Sequence, residues 1–238
     1  MPSAKQLEVD EGFGELTVER RSPCDSLLKE IHGSEDIKLS SLHRRGAVLF
    51  SEGQQAHGVY VLRAGRAKVS ISSSGGKVLI LRIAQAGDLL GVNSALKDSP
   101  YDATVETIEP CRTDFILRTD FMDLLDRSKR ARIGVSEALS NELTDAVEHA
   151  RSLLLPRSTG EKLARLLLKW CDERGEVRPE GIRVNSGLTQ EEIAQMICTS
   201  RETVTRLFAE LKRKRIVSLA DNAIFVRNRK ALESMGSC

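Results

Sequence analysis

The stretch LTQEEIAQMICTSRETVTRLFAELKRKRIV, residues 188–217, decides the fold of the C-terminal part of this chain. Thr189 followed three residues later by Glu192 is a capping box, which predicts a helix that begins at the next residue. Ser200 is a second N-cap residue and predicts another helix of about four turns. Two short helices joined by a tight turn, with the small Ala194 where they cross, indicate a helix-turn-helix.

The second of these helices has two different faces. One face is apolar and predicts packing against the first helix: Val204, Leu207, Phe208 and Leu211. The other face carries Arg201, Glu202 and Arg206 near the helix N-terminus, the end that enters a DNA major groove in such motifs. An arginine fork matches guanine O6 and N7, and a carboxylate accepts from cytosine N4. We therefore predict that these three residues read bases, although a solvated face with an intrahelical Glu202–Arg206 pair is the alternative.

Charged and hydroxyl residues around the same helices suit contacts to the DNA backbone, which position a protein without reading sequence: Thr189, Thr199, Ser200, Thr205 and Lys212. Residues 218–226 predict a two-stranded hairpin turning at Asp221-Asn222, which would form a wing beside the second helix. From Arg157 onward the chain has 16 Lys and Arg against 11 Asp and Glu. A basic C-terminal third of this kind indicates a polyanionic partner.

The middle of the chain has a different texture. Short apolar or alternating runs separated by glycine-containing turns lie at residues 47–50, 59–62, 67–72, 78–83, 102–107 and 111–117. Strands of this length and spacing predict a small antiparallel barrel or sandwich. Upstream of it we expect a loosely held arm at 1–22 and a short helix between Ser26 and His43.

A long helix is predicted from about Lys129 to Leu155. Its apolar residues follow the 4-3 spacing of a coiled-coil seam: Leu139, Leu143, Ala146, Ala150 and Leu153. We expect this seam to pair with a second copy of the chain; packing of the helix on its own barrel is the alternative.

Composition excludes several other classes of protein. The chain has 238 residues and is 40% hydrophobic, which suits two globular domains. Its five cysteines are scattered without a C-x-x-C pair, and no apolar run approaches the roughly 20 residues that span a bilayer. The N-terminus lacks the apolar core of a signal peptide. We expect a cytoplasmic protein without a metal site, a membrane segment or a catalytic set of residues, and hence not an enzyme.

With these motifs the sequence resembles the CRP/FNR superfamily of bacterial transcription regulators. The resemblance rests on SRETVTR (200–206), GDLLG (87–91), the glycine-punctuated barrel and the long helix. It implies an α+β fold: an antiparallel β-barrel (jelly roll) like that of cyclic-nucleotide-binding domains, a long dimerisation helix and a winged helix-turn-helix. The expected bounds are an arm at 1–22, an effector-sensing barrel at 23–127, a dimerisation helix at 128–156 and a DNA-binding domain at 157–238.

The resemblance also implies specific partners. In this superfamily the positions of Arg201, Glu202 and Arg206 read a TGTGA-like half-site, so a homodimer is expected to bind an inverted repeat in double-stranded DNA and to contact RNA polymerase. Cys198 stands in the turn where the superfamily usually has glycine.

The residues of the effector cassette argue against cyclic AMP as the signal. Cyclic-nucleotide binders carry a glutamate and an arginine there, whereas this chain has Val92 and Asp102, which do not suit a ribose hydroxyl and a phosphate. An unidentified small molecule is expected to contact the cassette residues Gly91, Val92, Asn93, Asp102, Ala103 and Thr104. A regulator that responds to a cyclic nucleotide remains an alternative.

The same sequence bears on other signals and functions. Haem and an iron–sulfur cluster are not expected, because no cysteine lies beside His57 and only Cys24 lies near the N-terminus. Thiol redox control through Cys24 or Cys198 remains an alternative, as does an adaptor whose winged module binds protein instead of DNA.

Overall fold

The computed structural model describes residues 39–155, 158–220 and 223–236. The predicted arm, most of the helix expected at 26–43, and the Asp221-Asn222 turn lie outside the described residues.

Eight strands form the N-terminal part: β1 (Leu39–His43), β2 (Val48–Phe50), β3 (Gly58–Ala64), β4 (Ala67–Ser72), β5 (Val78–Ala84), β6 (Leu89–Leu90), β7 (Thr104–Thr107) and β8 (Cys111–Leu117). They pair antiparallel in two four-stranded sheets, ordered β1-β8-β3-β6 and β2-β7-β4-β5. Apolar side chains such as Val59, Leu62 and Ile80 are fully buried. The predicted antiparallel barrel is confirmed.

Part of the predicted N-terminal helix is wrong. Residues Leu39–His43 form β1, which pairs with β8 in a register that sets Leu39 opposite Phe115 and His43 opposite Cys111. The spacing of Leu39 and Leu42 fits a helical turn, but β8 offers a row of backbone donors and acceptors that an isolated turn lacks. Pairing with a strand about 70 residues away therefore outweighed local preference.

The helices are α1 (Val92–Lys97), α2 (Arg118–Arg127), α3 (Lys129–Leu154), α4 (Thr159–Arg174), α5 (Gln190–Met196), α6 (Arg201–Arg213) and α7 (Arg229–Gly236). The long helix α3 confirms the prediction, and Ser128 caps it by accepting from the Ala131 N–H. Ser158 caps α4 in the same way. Neither α1 nor β6 was predicted from the sequence.

The C-terminal part has its own core and its own sheet. Strands β9 (Glu176–Arg178), β10 (Gly181–Val184), β11 (Val217–Ala220) and β12 (Ala223–Val226) pair antiparallel in the order β11-β12-β10-β9. The predicted wing strands are therefore the outer half of a four-stranded sheet. The core beneath it is built from fully buried side chains of α4, α5 and α6, with Trp170 its largest member.

The two parts of the chain contact each other through β5 and α5. Ile80 of β5 is fully buried within the C-terminal core. Beside it, Lys68 Nζ lies 2.8 Å from Glu192 Oε1, and the Arg66 guanidinium donates to the Asn185 and Ser186 carbonyls at 3.1 Å. Apolar burial and ion pairing thus hold the first helix of the helix-turn-helix against the barrel.

Candidate nucleic-acid interface

The first helix of the pair begins at the predicted capping box. The Thr189 hydroxyl accepts from the Glu192 N–H at 3.2 Å, and Glu192 Oε2 accepts from the Thr189 N–H at 2.8 Å. Both bonds satisfy backbone donors that a helix leaves free at its N-terminus. The start of α5 at Gln190 is therefore confirmed.

The turn between α5 and α6 depends on one residue with a left-handed backbone. Cys198 has φ 54°, and the Thr199 N–H behind it donates to the Ala194 carbonyl at 3.0 Å. Ala194 is fully buried, so the helices cross where only a methyl group intervenes. Asp98, Cys198 and Arg215 are the non-glycine residues with positive φ in the part of the chain that the structure describes. Glycine would adopt this conformation more readily than cysteine.

The second helix, α6, presents the two faces expected from its sequence. Ser200 caps it by accepting from the Thr203 N–H, while Val204, Phe208 and Leu211 are buried against the C-terminal core. Arg201, Glu202 and Arg206 are all exposed and lie within two turns of the helix N-terminus. The structure therefore brings these three predicted residues onto one accessible surface, called the α6 reading face below.

The charges of this reading face are close enough to interact, but they form no ion pair with one another in the described residues. Among the ion pairs of the described residues, none joins Glu202 to Arg206. The Glu202 backbone N–H and the Ser200 hydroxyl lower the pKa of the Glu202 carboxyl, so it is an anion at neutral pH. Two guanidinium groups and one carboxylate are thus available to base edges.

The residues predicted to contact phosphate have different surroundings. Thr189, Ser200 and Lys212 are exposed and Thr199 is half-buried. The Thr205 hydroxyl lies 2.5 Å from Gln190 Oε1 and 2.9 Å from the Arg201 carbonyl. Its proton is therefore already used inside the protein, as is that of the Thr189 hydroxyl, which donates to Glu192 Oε2 at 3.0 Å. These two hydroxyls are therefore less suitable as donors to phosphate.

The effector cassette is organised by its own contacts. Gly91 has φ 79°, and a Cβ there would lie 2.6 Å from Tyr101 Cε1. Val92 and Ala103 are buried, whereas Asn93 Nδ2 donates to Asp102 Oδ2 at 2.7 Å. The Thr104 hydroxyl, the last of the six predicted cassette groups, accepts from the Glu52 N–H at 2.9 Å.

Aromatic side chains fill the barrel beside this cassette. Tyr101 stacks on Phe50 with ring centroids 3.9 Å apart, and its hydroxyl donates to the Gly58 carbonyl at 2.7 Å. Burial raises the pKa of Tyr101 to about 12, so the phenol stays protonated. Tyr60 continues the cluster between Phe50 and Phe115.

Carboxylates gather where the cassette meets the long helix. Burial raises the pKa of Glu142, the Arg82 guanidinium opposes that rise, and the nearby Asp102 and Asp88 carboxylates add to it. Arg82 Nη1 is held by Asp88 at 2.6 Å. The Arg82 guanidinium is thus already paired with acids, which disfavours an added phosphate beside it.

The cysteines fall into two groups. Cys198 is exposed, whereas Cys111 and Cys171 are buried, and Cys24 lies outside the described residues. Burial raises the pKa of the Cys111 thiol to about 11 and raises that of Cys171. A buried thiol with a raised pKa is a poor nucleophile.

The described residues contain neither a metal-binding group nor a membrane-spanning helix. Over 39–155, 158–220 and 223–236, no three His, Cys, Asp or Glu side chains group in a way that could hold a metal ion. Within the same ranges, every helix is too short or too polar to cross a bilayer.

Comparison with known proteins assigns both halves of the chain. Residues 161–235 match the family described as the Crp-like helix-turn-helix domain, and residues 42–128 match the cyclic nucleotide-binding domain. The barrel, the long helix and the helix-turn-helix thus define a DNA-binding transcription regulator. The chain belongs to the CRP/FNR superfamily of transcription regulators.

Relatives with assigned functions share about a quarter of their residues with this chain. The Global nitrogen regulator of Synechococcus elongatus is 29% identical, with 81% of this chain and 87% of the relative covered. The Anaerobic regulatory protein of Bacillus subtilis is 24% identical, with 82% of each chain covered. The solved structure of FixK2 from Bradyrhizobium japonicum has a TM-score of 0.70 at 20% identity and covers 85% of this chain and 98% of its own.

Proposed function

We propose that this protein is a homodimeric regulator that reads an inverted repeat of TGTGA-like half-sites through the helix at 200–214. The observation that carries the proposal is the α6 reading face, on which Arg201, Glu202 and Arg206 are exposed while Val204 and Phe208 anchor the helix in the core. The arginines suit the guanines of such a half-site, and Glu202 suits a cytosine of the complementary strand.

Apolar residues on α3 support the homodimer. Four of them are largely exposed in the single chain: Ile133 at 46%, Leu143 at 66%, Val147 at 43% and Leu154 at 80%. Their spacing is close to a heptad seam, and burial against a second copy of α3 would remove them from water. Leu139, which the predicted seam included, is instead partly buried against its own barrel.

A fluorescence-anisotropy titration with a TGTGA-N6-TCACA duplex tests the reading face. Wild type should prefer this duplex over a scrambled one, and its affinity should fall steeply as salt is raised, because phosphate contacts release counterions. Arg206→Ala should cost about 1–3 kcal/mol of discrimination, roughly 5- to 150-fold.

Arg112→Ala is the matched control, since Arg112 is an exposed arginine on β8, far from α6 in the chain. It should leave both affinity and discrimination unchanged. Equal binding of both duplexes by wild type would favour the adaptor alternative, in which the winged module contacts protein.

We propose a signal other than cyclic AMP. Relatives of this chain include a CRP-like cAMP-activated global transcriptional regulator from Mycobacterium tuberculosis, 24% identical. In this chain, however, Val92 is buried and apolar, Asp102 is bound to Asn93, and Arg82 is held by Asp88. Millimolar cyclic AMP should therefore change neither the melting temperature nor the DNA affinity. A rise of several degrees would contradict this, because a ligand selective for the folded state must stabilise it.

The domain bounds and remaining partners belong to the same proposal. The barrel with its effector cassette, at 23–127, would sense the signal. The helix at 128–156 would form the dimer and transmit the signal, and the domain at 157–238 would bind DNA. The DNA-bound protein would change transcription by contacting RNA polymerase. It would bind both the DNA and the polymerase in the cytoplasm.

A further inference from the structure

A cavity of about 250 Å³ lies between the barrel and the DNA-binding part. Its wall is formed by β5, the C-terminal half of α3, one side of α4, and the end of α5. None of the six cassette residues lines it. Because a water occupies about 30 Å³ in the liquid, the cavity has room for roughly eight waters, the size of a small metabolite.

Two polar groups in this wall have no partner among the residues that the structure describes. His149 Nε2 is buried and makes no hydrogen bond with the described residues. Lys162 is a half-buried residue, and its solvent-accessible ammonium is in none of the ion pairs or side-chain hydrogen bonds of those residues. Buried polar groups in folded proteins are nearly always paired, so the unpaired His149 Nε2 facing the cavity indicates that a water or a ligand binds it there.

The lining carries five cations and three acids: Arg82, Lys162, Arg165, Lys169 and Arg174 against Asp145, Glu148 and Glu173. Arg82 and Arg165 are already paired with Asp88 and Glu161, each at 2.6 Å. Glu173 is already shared between Lys169 and Arg174, at 3.7 and 3.8 Å, while Asp145 and Glu148 are exposed to solvent. Burial first, and then the Lys169 charge, lower the pKa of His149, so its ring is neutral, and Nε2 can donate to an anion in the tautomer that carries the proton on that nitrogen.

The remaining lining is apolar. The Trp170 ring lies under the Arg174 guanidinium, 5.5 Å from its carbon to the ring centroid, and Leu166 and Ile83 adjoin it. From these contacts we propose that the cavity binds a small monocarboxylate with an apolar body. Its anionic head would meet Lys162 and His149, and its body would lie against Trp170.

The position of the cavity connects the ligand to DNA reading. Leu81 and Ile83 belong to the barrel, whereas Met196 and Ile197 end α5 directly before the Cys198 turn into α6. A ligand that contacts both would favour the arrangement in which α5 is docked on β5. This coupling rests on the proposed function, whereas binding of the carboxylate itself does not.

Thermal shift and calorimetry on the full chain without DNA test the site. The probes are benzoate, phenylacetate and hexanoate, each with its neutral amide as control. At ten times Kd an acid should raise the melting temperature by about 3–5 °C, and the amides should not. Equal shifts with acids and amides, or no shift with any acid, would overturn the proposal.

Variants locate the binding within the cavity. Lys162→Met should weaken carboxylate binding at least tenfold, and Lys162→Arg should restore most of it. Lys77→Met, at an exposed lysine of the β4–β5 hairpin, should bind as wild type does. Loss of binding in Lys77→Met, or full binding in Lys162→Met, would place the acid elsewhere.

A DNA-binding measurement distinguishes failure of the carboxylate site from failure of the proposed DNA-binding function. If the chain binds no duplex specifically, the proposed function fails while calorimetry still reports on the cavity. If it binds duplex, the best acid probe should change DNA affinity in wild type and not in Lys162→Met. Acid binding with unchanged DNA affinity would remove the coupling and leave the site.

Discussion

Replacing Lys68 by methionine should loosen the helix-turn-helix from the barrel. Lys68 Nζ lies 2.8 Å from Glu192 Oε1 and 3.2 Å from Glu106 Oε1, and the Lys68 and Glu192 side chains are 15% and 14% exposed. A hydrogen bond to a charged group contributes about 1.5–3 kcal/mol, whereas exposed ion pairs contribute less than about 1 kcal/mol. Methionine keeps most of the apolar stem, so we expect a loss of about 2 kcal/mol.

Urea unfolding followed by tryptophan fluorescence measures this loss. Trp170 is the only tryptophan in the sequence and is buried in the C-terminal core, so its emission reports the part of the molecule that Lys68 holds. Glu192→Gln preserves a capping box and removes the charge. In a double-mutant cycle the two changes should couple by about 1–2 kcal/mol.

The effect of Lys68→Met should depend on pH in a defined direction. Burial opposes both charges, but the mutual hydrogen bond prevails: it raises the pKa of Lys68, and with the Thr189 N–H it lowers that of Glu192. The stabilisation from Glu192 is present above its unfolded pKa and is lost as pH falls through the folded value. The stabilisation from Lys68 is lost only as pH rises through its raised value, so the difference should be constant between about pH 5 and 10.

Lys77→Met is the control, because Lys77 is exposed and its ammonium has no ion pair among those of the described residues. The bond between Lys68 and Glu192 would not hold the two parts together if Lys68→Met changed the free energy of unfolding no more than this control does. The same conclusion would follow if the effect of Lys68→Met did not diminish as Glu192 is protonated in acid.

Two further changes test the helix seam and the turn. Leu143→Glu should convert a dimer to monomer in sedimentation velocity, because the dimer loses two buried leucine side chains, each contributing about 1.5–3 kcal/mol. The control Val177→Glu, at the 86% exposed Val177 of β9, should leave the dimer intact. A dimer that persists in Leu143→Glu would refute the seam. In the same urea assay, Cys198→Gly should preserve the free energy of unfolding to within about 1 kcal/mol. Cys198→Val should lose about 1–2 kcal/mol, because a β-branched residue is strained at φ 54°. Equal stability of the two variants would contradict this account of the turn.

The helix-turn-helix could be predicted almost residue by residue because its signals are local. The Thr189–Glu192 box, the Ser200 cap and the apolar spacing of Val204 and Phe208 all act within one or two helical turns. The barrel strands were also predicted, since alternation and glycine turns mark them. Residues 39–43 were not, because β1 depends on β8, which lies far away in sequence.

Of the two candidate sites, the DNA-reading face could be predicted from the sequence and the cavity could not. The exposure of Arg201, Glu202 and Arg206 follows from helical periodicity, so the sequence indicates the reading face by itself. The cavity beside His149 was missed because its wall joins β5, α3, α4 and α5, and no short pattern marks such a meeting. The only sequence feature that points to this cavity is a histidine and a lysine on separate helices. Lys162 follows His149 by thirteen residues, with a proline between them.

The sequence alone determined the class of fold and the chemistry of the reading face, because capping, periodicity and side-chain type act over a few residues. Only the tertiary structure decided which side of α3 is exposed, with Leu143 outside and Leu139 against the barrel. It also decided that Asn93 meets Asp102 and that Lys68 meets Glu192. Such contacts depend on how separate elements pack together, and the free energy of that packing is shared among residues from all of them.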